Sequence, residues 1–285
     1  VPADEMRIDP HAHSTASDGT DSPANLVRAA AAAGLDVVGI TDHDTVAGWA
    51  EAEAAVAETG VALLRGAELS CQAGGISVHL LSYLHDPAEP DLAAEVDRSR
   101  RSREERARIM VDRLSQDFPI TWADVRAQVA PGATVGRPHM ADALVAAGVA
   151  PDRDTCFATI LSSRGPYYVR YHAPDAVTLV GLVRAAGGVP VMAHPRAATR
   201  GRVVSDAVVA AMADAGLAAL EVDHRDHSPV ARAELAALAD RLGLARTGAS
   251  DYHGTGKLNV LGEHTTDPAV LALIESEGSL PVVRP

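Results

Sequence analysis

Between Arg7 and Thr20 the chain reads RIDPHAHSTASDGT, a His-x-His pair (His11 and His13) with Asp18 five residues later. Arg7–Asp9 reads as the end of a short strand and Ser14–Thr20 as the polar loop leaving it. Side chains at i and i+2 of a strand point to the same side. Two imidazoles therefore face one way with a carboxylate close behind, a grouping that suits a divalent cation. Alone, a His-x-His pair is weak. Its weight comes from recurrence: His43 in Thr41-Asp42-His43-Asp44, then Glu68, His79, His194, and Asp251 and His253 in Ser250-Asp251-Tyr252-His253-Gly254. Any one of these histidines, taken alone, is more simply a hydrogen-bonded structural group. Six imidazoles and three carboxylates at one end of a sheet are not. One ion takes about four to six ligands, so this set can serve two or three, with Glu68 as a bridge. With no cysteine among them, the expected cofactors are two or three divalent ions of the Mn, Fe or Zn type, Mn first. Three such ions bring about +6 against three carboxylates, and the surplus suits a phosphate and a hydroxide. The chemistry expected is hydrolysis of a phosphate ester by a metal-activated hydroxide.

The elements that must position these residues alternate. Helical patterns at Ser22–Gly34 and Thr45–Glu58 separate apolar strands at Asp36–Thr41 and Val61–Leu69, and Ile76–Leu84 follows as a fourth strand. Ser22 and Pro23 form a helix-start signal and Gly34 a stop. The alternation then breaks: Asp91–Phe118 reads as one long charged helix, and Thr121–Val129, Arg137–Ala147 and Asp152–Leu161 as shorter ones. It resumes with a helix at Asp175–Ala186, a strand at Val189–Ala193, a helix at Ser205–Ala215, a strand at Ala218–Val222, a helix at Ser228–Leu242, a strand at Leu244–Ala249 and a helix at Asp267–Glu275. The expected organisation is an α/β barrel domain of residues 1–84 and 172–285, interrupted by a helical insertion, or cap, at residues 85–171. In such folds, sites gather where the strands end.

Composition narrows the function. The 285 residues carry a formal net charge of −13, which argues against a duplex nucleic-acid binder. No apolar run approaches the ~20 residues of a membrane span, and Val1–Glu5 shows no signal-peptide pattern. Two cysteines, Cys71 and Cys156, provide no disulfide framework; both are expected to be buried thiols in a reducing cytoplasm.

IDPHAHSTASDGT, GITDHDT, GAELS, the His79 strand, GRPH, GGVPVMAHP, EVDHRDHSP and GASDYHG together resemble the PHP (polymerase and histidinol phosphatase) family of metal-dependent phosphoesterases, over nearly the whole chain. The resemblance implies a distorted (β/α)7 barrel with a di- or trinuclear metal centre. One ion would take His11, His13, Glu68 and Asp251, a second Glu68, His79 and His194, a third Asp18, His43 and His253. The sequence is most similar to the branch with a helical insertion, whose members hydrolyse the 3′-phosphate of nucleoside 3′,5′-bisphosphates or degrade short 5′-phosphorylated oligonucleotides. The implied partner is a small phosphorylated substrate, a nucleotide or short oligonucleotide. Pro10 and Asp223 depart from the family pattern, which usually has an aliphatic and often an aromatic residue there.

Arg100, Arg103 and Arg106, spaced i, i+3, i+6, lie near one helix face. With Arg137 and His139 of Gly136-Arg137-Pro138-His139, Arg103 and Arg106 are candidate substrate contacts, since the arginine fork matches phosphate oxygens. The simpler alternative is a solvated helix with Glu104–Arg108 pairing. His224 and His227 are candidate acids or orienting groups, His227 also a substrate contact. Asp9, Asp42 and Asp44 sit beside ligand-type histidines and are placed to orient them, while His85, His172 and His264 read as surface or structural. Rival functions are a histidinol-phosphate phosphatase, a non-catalytic metal-binding regulatory module and a C–N hydrolase of the amidohydrolase type. The last often needs a metal-bridging strand lysine, and Lys257 is the one lysine in the chain.

Overall fold

The computed structural model describes residues 6–285, so the reading of Val1–Glu5 lies outside it. Seven strands, Ile8–Asp9 (β1), Val37–Ile40 (β2), Ala62–Ala73 (β3), Ile76–Tyr83 (β4), Val189–Met192 (β5), Ala219–Asp223 (β6) and Ala245–Gly248 (β7), lie side by side in chain order. Pairing is parallel from β1 to β3, antiparallel on both sides of β4, and parallel again from β5 to β7. Between β7 and β1 the gap is crossed by the loops that follow them. Ala12 bridges Tyr252, and the His13 N–H donates to the Tyr252 carbonyl at 2.8 Å. The buried Asp9 carboxylate accepts from the Ser250 and Gly262 N–H groups at 3.1 and 2.8 Å, tying the same seam. The sheet is thus the nearly closed, distorted barrel expected. β2 (VVGI) and β5 (VPVM) are buried throughout, as strands covered on both faces must be.

Helices Pro23–Ala32 (α1), Trp49–Thr59 (α2), Ala176–Ala185 (α7), Asp206–Asp214 (α8), Pro229–Leu242 (α9) and Pro268–Glu277 (α10) flank the sheet. Ser22 caps α1 by accepting from the Asn25 N–H, and Ser228 caps α9 through Ala231, each with proline at the first helical position. α2 starts four residues later than the sequence suggested. Asp44 has φ 51°, outside the helical region, and the Thr45 hydroxyl accepts from the Ala47 N–H in a local turn that competes with helix. β3 also differs. It continues past Leu69 to Ala73 and turns back through Gly74 and Gly75, φ 57° and 75°, a two-residue hairpin that only such backbone freedom allows. Glu68 therefore sits in mid-strand rather than at a strand end, and β4 brings His79 in from the opposite direction, across from Ser70.

Between β4 and α7 lie Pro90–Leu114 (α3), Trp122–Ala127 (α4), Arg137–Ala146 (α5) and Arg153–Ala158 (α6). They bury an apolar cluster of their own, including Met110, Leu114, Val125, Met140 and Leu144, with Cys156 inside it; Cys71 is buried in the barrel core.

Gly39 in β2 lies against the Pro10 carbonyl, and a methyl group there would stand 1.9 Å from that oxygen. The obstacle is backbone, which cannot swing aside. Gly39→Ala is expected to destabilise the fold by at least ~1–3 kcal/mol, the scale of overpacking, read as a lowered Tm in thermal denaturation. An unchanged Tm would show that Pro10 shifts freely.

Candidate active site

Glu68 sits at the centre of the cluster. Its Oε2 lies 3.4 Å from His11 Nε2, 3.0 Å from His13 Nε2 and 3.2 Å from His43 Nδ1. Its Oε1 lies 2.6 Å from His79 Nδ1 and 3.0 Å from His194 Nε2. The two oxygens thus face two different sets of imidazoles. Asp251 Oδ1 is 3.4 Å from both His11 and His13 Nε2. Asp18 reaches His253 Nε2 at 3.3 Å and His43 Nε2 at 3.7 Å. All nine residues singled out from the sequence meet here.

The residues present fit metal ions. Three sets of donors lie within 4.8 Å of one another: His13, Asp18, His43 and His253; His11, His13, Glu68 and Asp251; and His43, Glu68 and His79. These overlap the partition implied by the resemblance, except that His13 and His43 each join two sets and His194, with its Nε2 3.0 Å from Glu68, joins none of them. The Nε2 atoms of His11 and His13 stand 3.1 Å apart, as two nitrogens each about 2.0–2.1 Å from one ion would. Among the described residues, His43 Nδ1 and His253 Nε2 are buried without a hydrogen-bond partner. Burial pushes against charge on Glu68, Asp18 and Asp251, yet the imidazoles around them, and Lys257 and Arg200 at Asp251, hold all three well below the usual carboxylate range. Burial also lowers His194 to about 3, helped by Arg200, and His253 to about 4, helped by Lys257, leaving both neutral as ligands must be. His13 goes the other way, to about 9, because against its burial Asp251 and Glu68 demand a cation. A bound divalent ion would satisfy that demand instead.

Backbone geometry shows how tightly these groups are aimed. Asp44, His194 and Asp251 all carry positive φ (51°, 31° and 54°), uncommon for residues with a side chain. Glu221, in β6, was not recognised from the sequence. Its carboxylate accepts from His11 Nδ1 at 2.9 Å and from the His194 N–H at 2.7 Å. That fixes the His11 tautomer with its Nε2 lone pair toward the cluster. Burial would raise Glu221, but His11 beside it brings it to about 2. The available signal was an acid set between Leu220 and Val222, two residues before the acid that ends the strand, Asp223. In Glu221→Gln one of the two acceptors becomes a donor, so metal affinity or activity should fall about 10–100-fold, the usual effect of losing such a partner. Metal content by elemental analysis, beside phosphate release, checks this.

The other aspartates work differently from expectation. Asp42 accepts from the Ser14 N–H and hydroxyl and from the Ser17 hydroxyl, fixing the loop that carries Asp18. Asp44 accepts from Ser70 and pairs with Arg103 at 3.1 Å. Neither they nor Asp9 binds a histidine ring, because backbone and hydroxyl donors already surround them. His85 is buried beside Ser82, His172 pairs with Glu95 and His264 meets Arg232, all outside the cluster.

Beside the donors lies a basic group. Arg103 donates to the Ser70 hydroxyl at 2.8 Å. Arg106 is only 8% exposed, sits over the rings of Tyr168 (5.0 Å) and Tyr171 (4.8 Å), and has no acidic partner among the described residues. Burial, with Arg137 nearby, lowers it to about 10. Arg137 donates to the Leu161 carbonyl and stacks over Phe157 and Tyr168. Neither tyrosine was singled out, since a tyrosine-rich segment carries no spacing signal. Glu104 does pair with Arg108, on the outer face. His139 is turned to helix capping, its Nδ1 accepting from the Gly136 N–H. His227 has Val222 O and the Arg196 N–H at its two ring nitrogens. His224 Nε2, 3.6 Å from Asp251, is buried and has no hydrogen-bond partner among the described residues. Arg200 and Lys257, also not anticipated, neutralise Asp251 Oδ2 at 2.6 and 3.0 Å.

A barrel that gathers six imidazoles and three carboxylates beside an unneutralised arginine defines a metal-dependent hydrolase of phosphate esters. Comparison with known proteins identifies it further. The PHP domain model matches residues 9–119. A 3′,5′-nucleoside bisphosphate phosphatase of Chromobacterium violaceum is 34% identical over 98% of this chain and 98% of its own. A 5′-3′ exoribonuclease of Haemophilus influenzae is 35% identical over 66% of this chain and 69% of its own. A solved structure from Bifidobacterium adolescentis, described as a candidate metal-dependent phosphoesterase, superposes with a TM-score of 0.94 at 44% identity, covering 96% of this chain and 97% of that one. The chain belongs to the PHP family and is a metal-dependent phosphoesterase.

Proposed function

We propose that the protein hydrolyses phosphate esters of nucleotides, with a nucleoside 3′,5′-bisphosphate losing its 3′-phosphate as the first choice and a short 5′-phosphorylated oligonucleotide as the second. One observation carries this: Arg106, buried without an acid, lies with Arg103 and Arg137 beside the donor cluster, so two anion sites adjoin. A histidinol-phosphate substrate has one phosphate and would leave the second site without a ligand. The names of the Chromobacterium and Haemophilus relatives support the nucleotide reading.

The metal ligands in this reading are His11, His13, Asp18, His43, Glu68, His79, His194, Asp251 and His253, holding two or three ions, Mn first. When bound, the ions supply the charge that acidifies a water and polarises the phosphoryl oxygens. Arg103, fixed by Asp44 and Ser70, faces the scissile phosphate, while Arg106 and Arg137 hold the second. Glu221 keeps His11 in its donor tautomer, and His224, whose Nε2 is free among the described residues, is the candidate acid or orienting group. Residues 85–171 act as the cap that carries the arginines, against a barrel of residues 1–84 and 172–285. The two free buried thiols support a cytoplasmic setting, and among the described residues no helix is long and apolar enough to cross a membrane.

The test is phosphate release by Mn-loaded protein from adenosine 3′,5′-bisphosphate, AMP, histidinol phosphate and a short 5′-phosphorylated RNA, each beside His43→Ala. Activity that depends on His43 and favours the bisphosphate or the RNA is expected. Preference for histidinol phosphate, or silence with metals bound, would overturn the proposal.

A further inference from the structure

A cleft of about 290 Å³ opens from Asp18 and His253 at the donor cluster and runs between the cap and the Gly256–Asn259 loop. Its cations are already neutralised. Arg153 is forked onto Asp142 at 2.6 Å twice, Arg225 pairs with Glu263, Arg200 with Asp226 and Asp251, and Lys257 with Asp251. The contrast with Arg106 is direct: this cleft offers no unpaired charge to a phosphate. Beside Asp154, the rest of the lining includes apolar groups from two segments, Phe157 with Pro138 on the cap and Leu258 on the loop.

Leu258 is 78% exposed and lines the cleft. Its loop is anchored on both sides. Asn259 is buried and donates to the Ser250 carbonyl at 2.5 Å, Leu261 is buried, and Lys257 holds Asp251. Leu258 is therefore held outward. Phe157 adjoins the anion site, since Arg137 stacks on its ring at 5.4 Å and Arg137 and Arg106 share Tyr168.

We infer that Phe157 and Leu258 line a subsite for the nucleobase of the substrate, a flat and uncharged group carried to one side by the ribose that joins the scissile phosphate at the donor cluster to the second phosphate at Arg106. The inference rests on the nucleotide reading above and gives that reading a place for the base. Neither residue touches the reacting atoms; both set specificity.

Calorimetric titration of the Mn-loaded protein with AMP and with ribose 5-phosphate tests it, because the two ligands differ by the base. The wild type should bind AMP roughly tenfold more tightly, the scale of stacking one base on an aromatic ring. Leu258→Ser and Phe157→Ala should each remove most of that difference. Val260→Ser, which alters a 58% exposed residue of the same loop that does not line the cleft, should leave it intact. Equal affinities in the wild type, or a difference that survives in Leu258→Ser, would overturn the subsite. Should Phe157→Ala fail to fold, Leu258→Ser decides alone. Base discrimination without phosphate release from any nucleotide would keep the subsite and sink the catalytic reading; turnover without discrimination would do the reverse.

Discussion

Glu68→Gln is expected to lose bound metal and nearly all activity while the barrel stays folded. The glutamate is buried in mid-strand, and its two oxygens face different imidazole sets, His11, His13 and His43 on one side and His79 and His194 on the other. Glutamine preserves shape and the β3–β4 pairing around it. It removes the charge that links the two sets and turns one oxygen into an N–H₂ donor pointing at ring nitrogens. Loss of an outer partner of a metal ligand already lowers affinity or rate 10–100-fold. Losing a group that reaches five imidazoles should exceed the upper end, more than about a hundredfold in phosphate release. Elemental analysis should show metal content falling together with rate. Full metal content with full activity would remove Glu68 from the centre of the site. Normal metal with lost activity would mean that its role is toward the substrate instead.

The site was legible in the sequence to the extent that its residue types are rare in apolar strands. Histidine and aspartate interrupting or ending runs such as VVGI and VPVM stand out, and all nine converge. Glu68 and His79 were legible as residues but not as geometry. The sequence reading ended β3 at Leu69, whereas the Gly74-Gly75 hairpin carries it on and makes β4 antiparallel. Glycine pairs between strand-like runs are the available sign of that turn. Glu221 escaped because its role exists only once β6 lies beside β5 and the loop after β1, where it meets His11 and the His194 N–H. The second tier of ion pairs, Arg200 and Lys257 on Asp251, escaped for the same reason, as it joins segments 51 and 6 residues apart by tertiary contact alone. His227 illustrates the reverse. A histidine in a loop after a strand has the right address for a substrate contact, yet nearby backbone groups occupy both of its nitrogens, and sequence spacing does not report that.

Arg106→Met should separate binding from stability in opposite directions. For the bisphosphate, KM should rise about 10–100-fold with kcat little changed, the equivalent of one or two hydrogen bonds to a charged group. A substrate with a single phosphate should be almost unaffected, because the arginine would not touch it. In the absence of ligand the variant should be more stable than the wild type. The Arg106 guanidinium is desolvated, is crowded by Arg137 and Arg103, and leaves its Nε without a partner among the described residues. Its stacking on Tyr168 and Tyr171 offsets part of that penalty, by roughly 0.5–2 kcal/mol. Methionine fills a similar volume without the charge, so a net gain of roughly 1 kcal/mol is expected, read as a higher Tm. A lower Tm with unchanged KM would mean that Arg106 is a structural residue held by its tyrosines. A raised KM together with a raised Tm is the signature of a charge kept at the expense of stability because a second phosphate needs it.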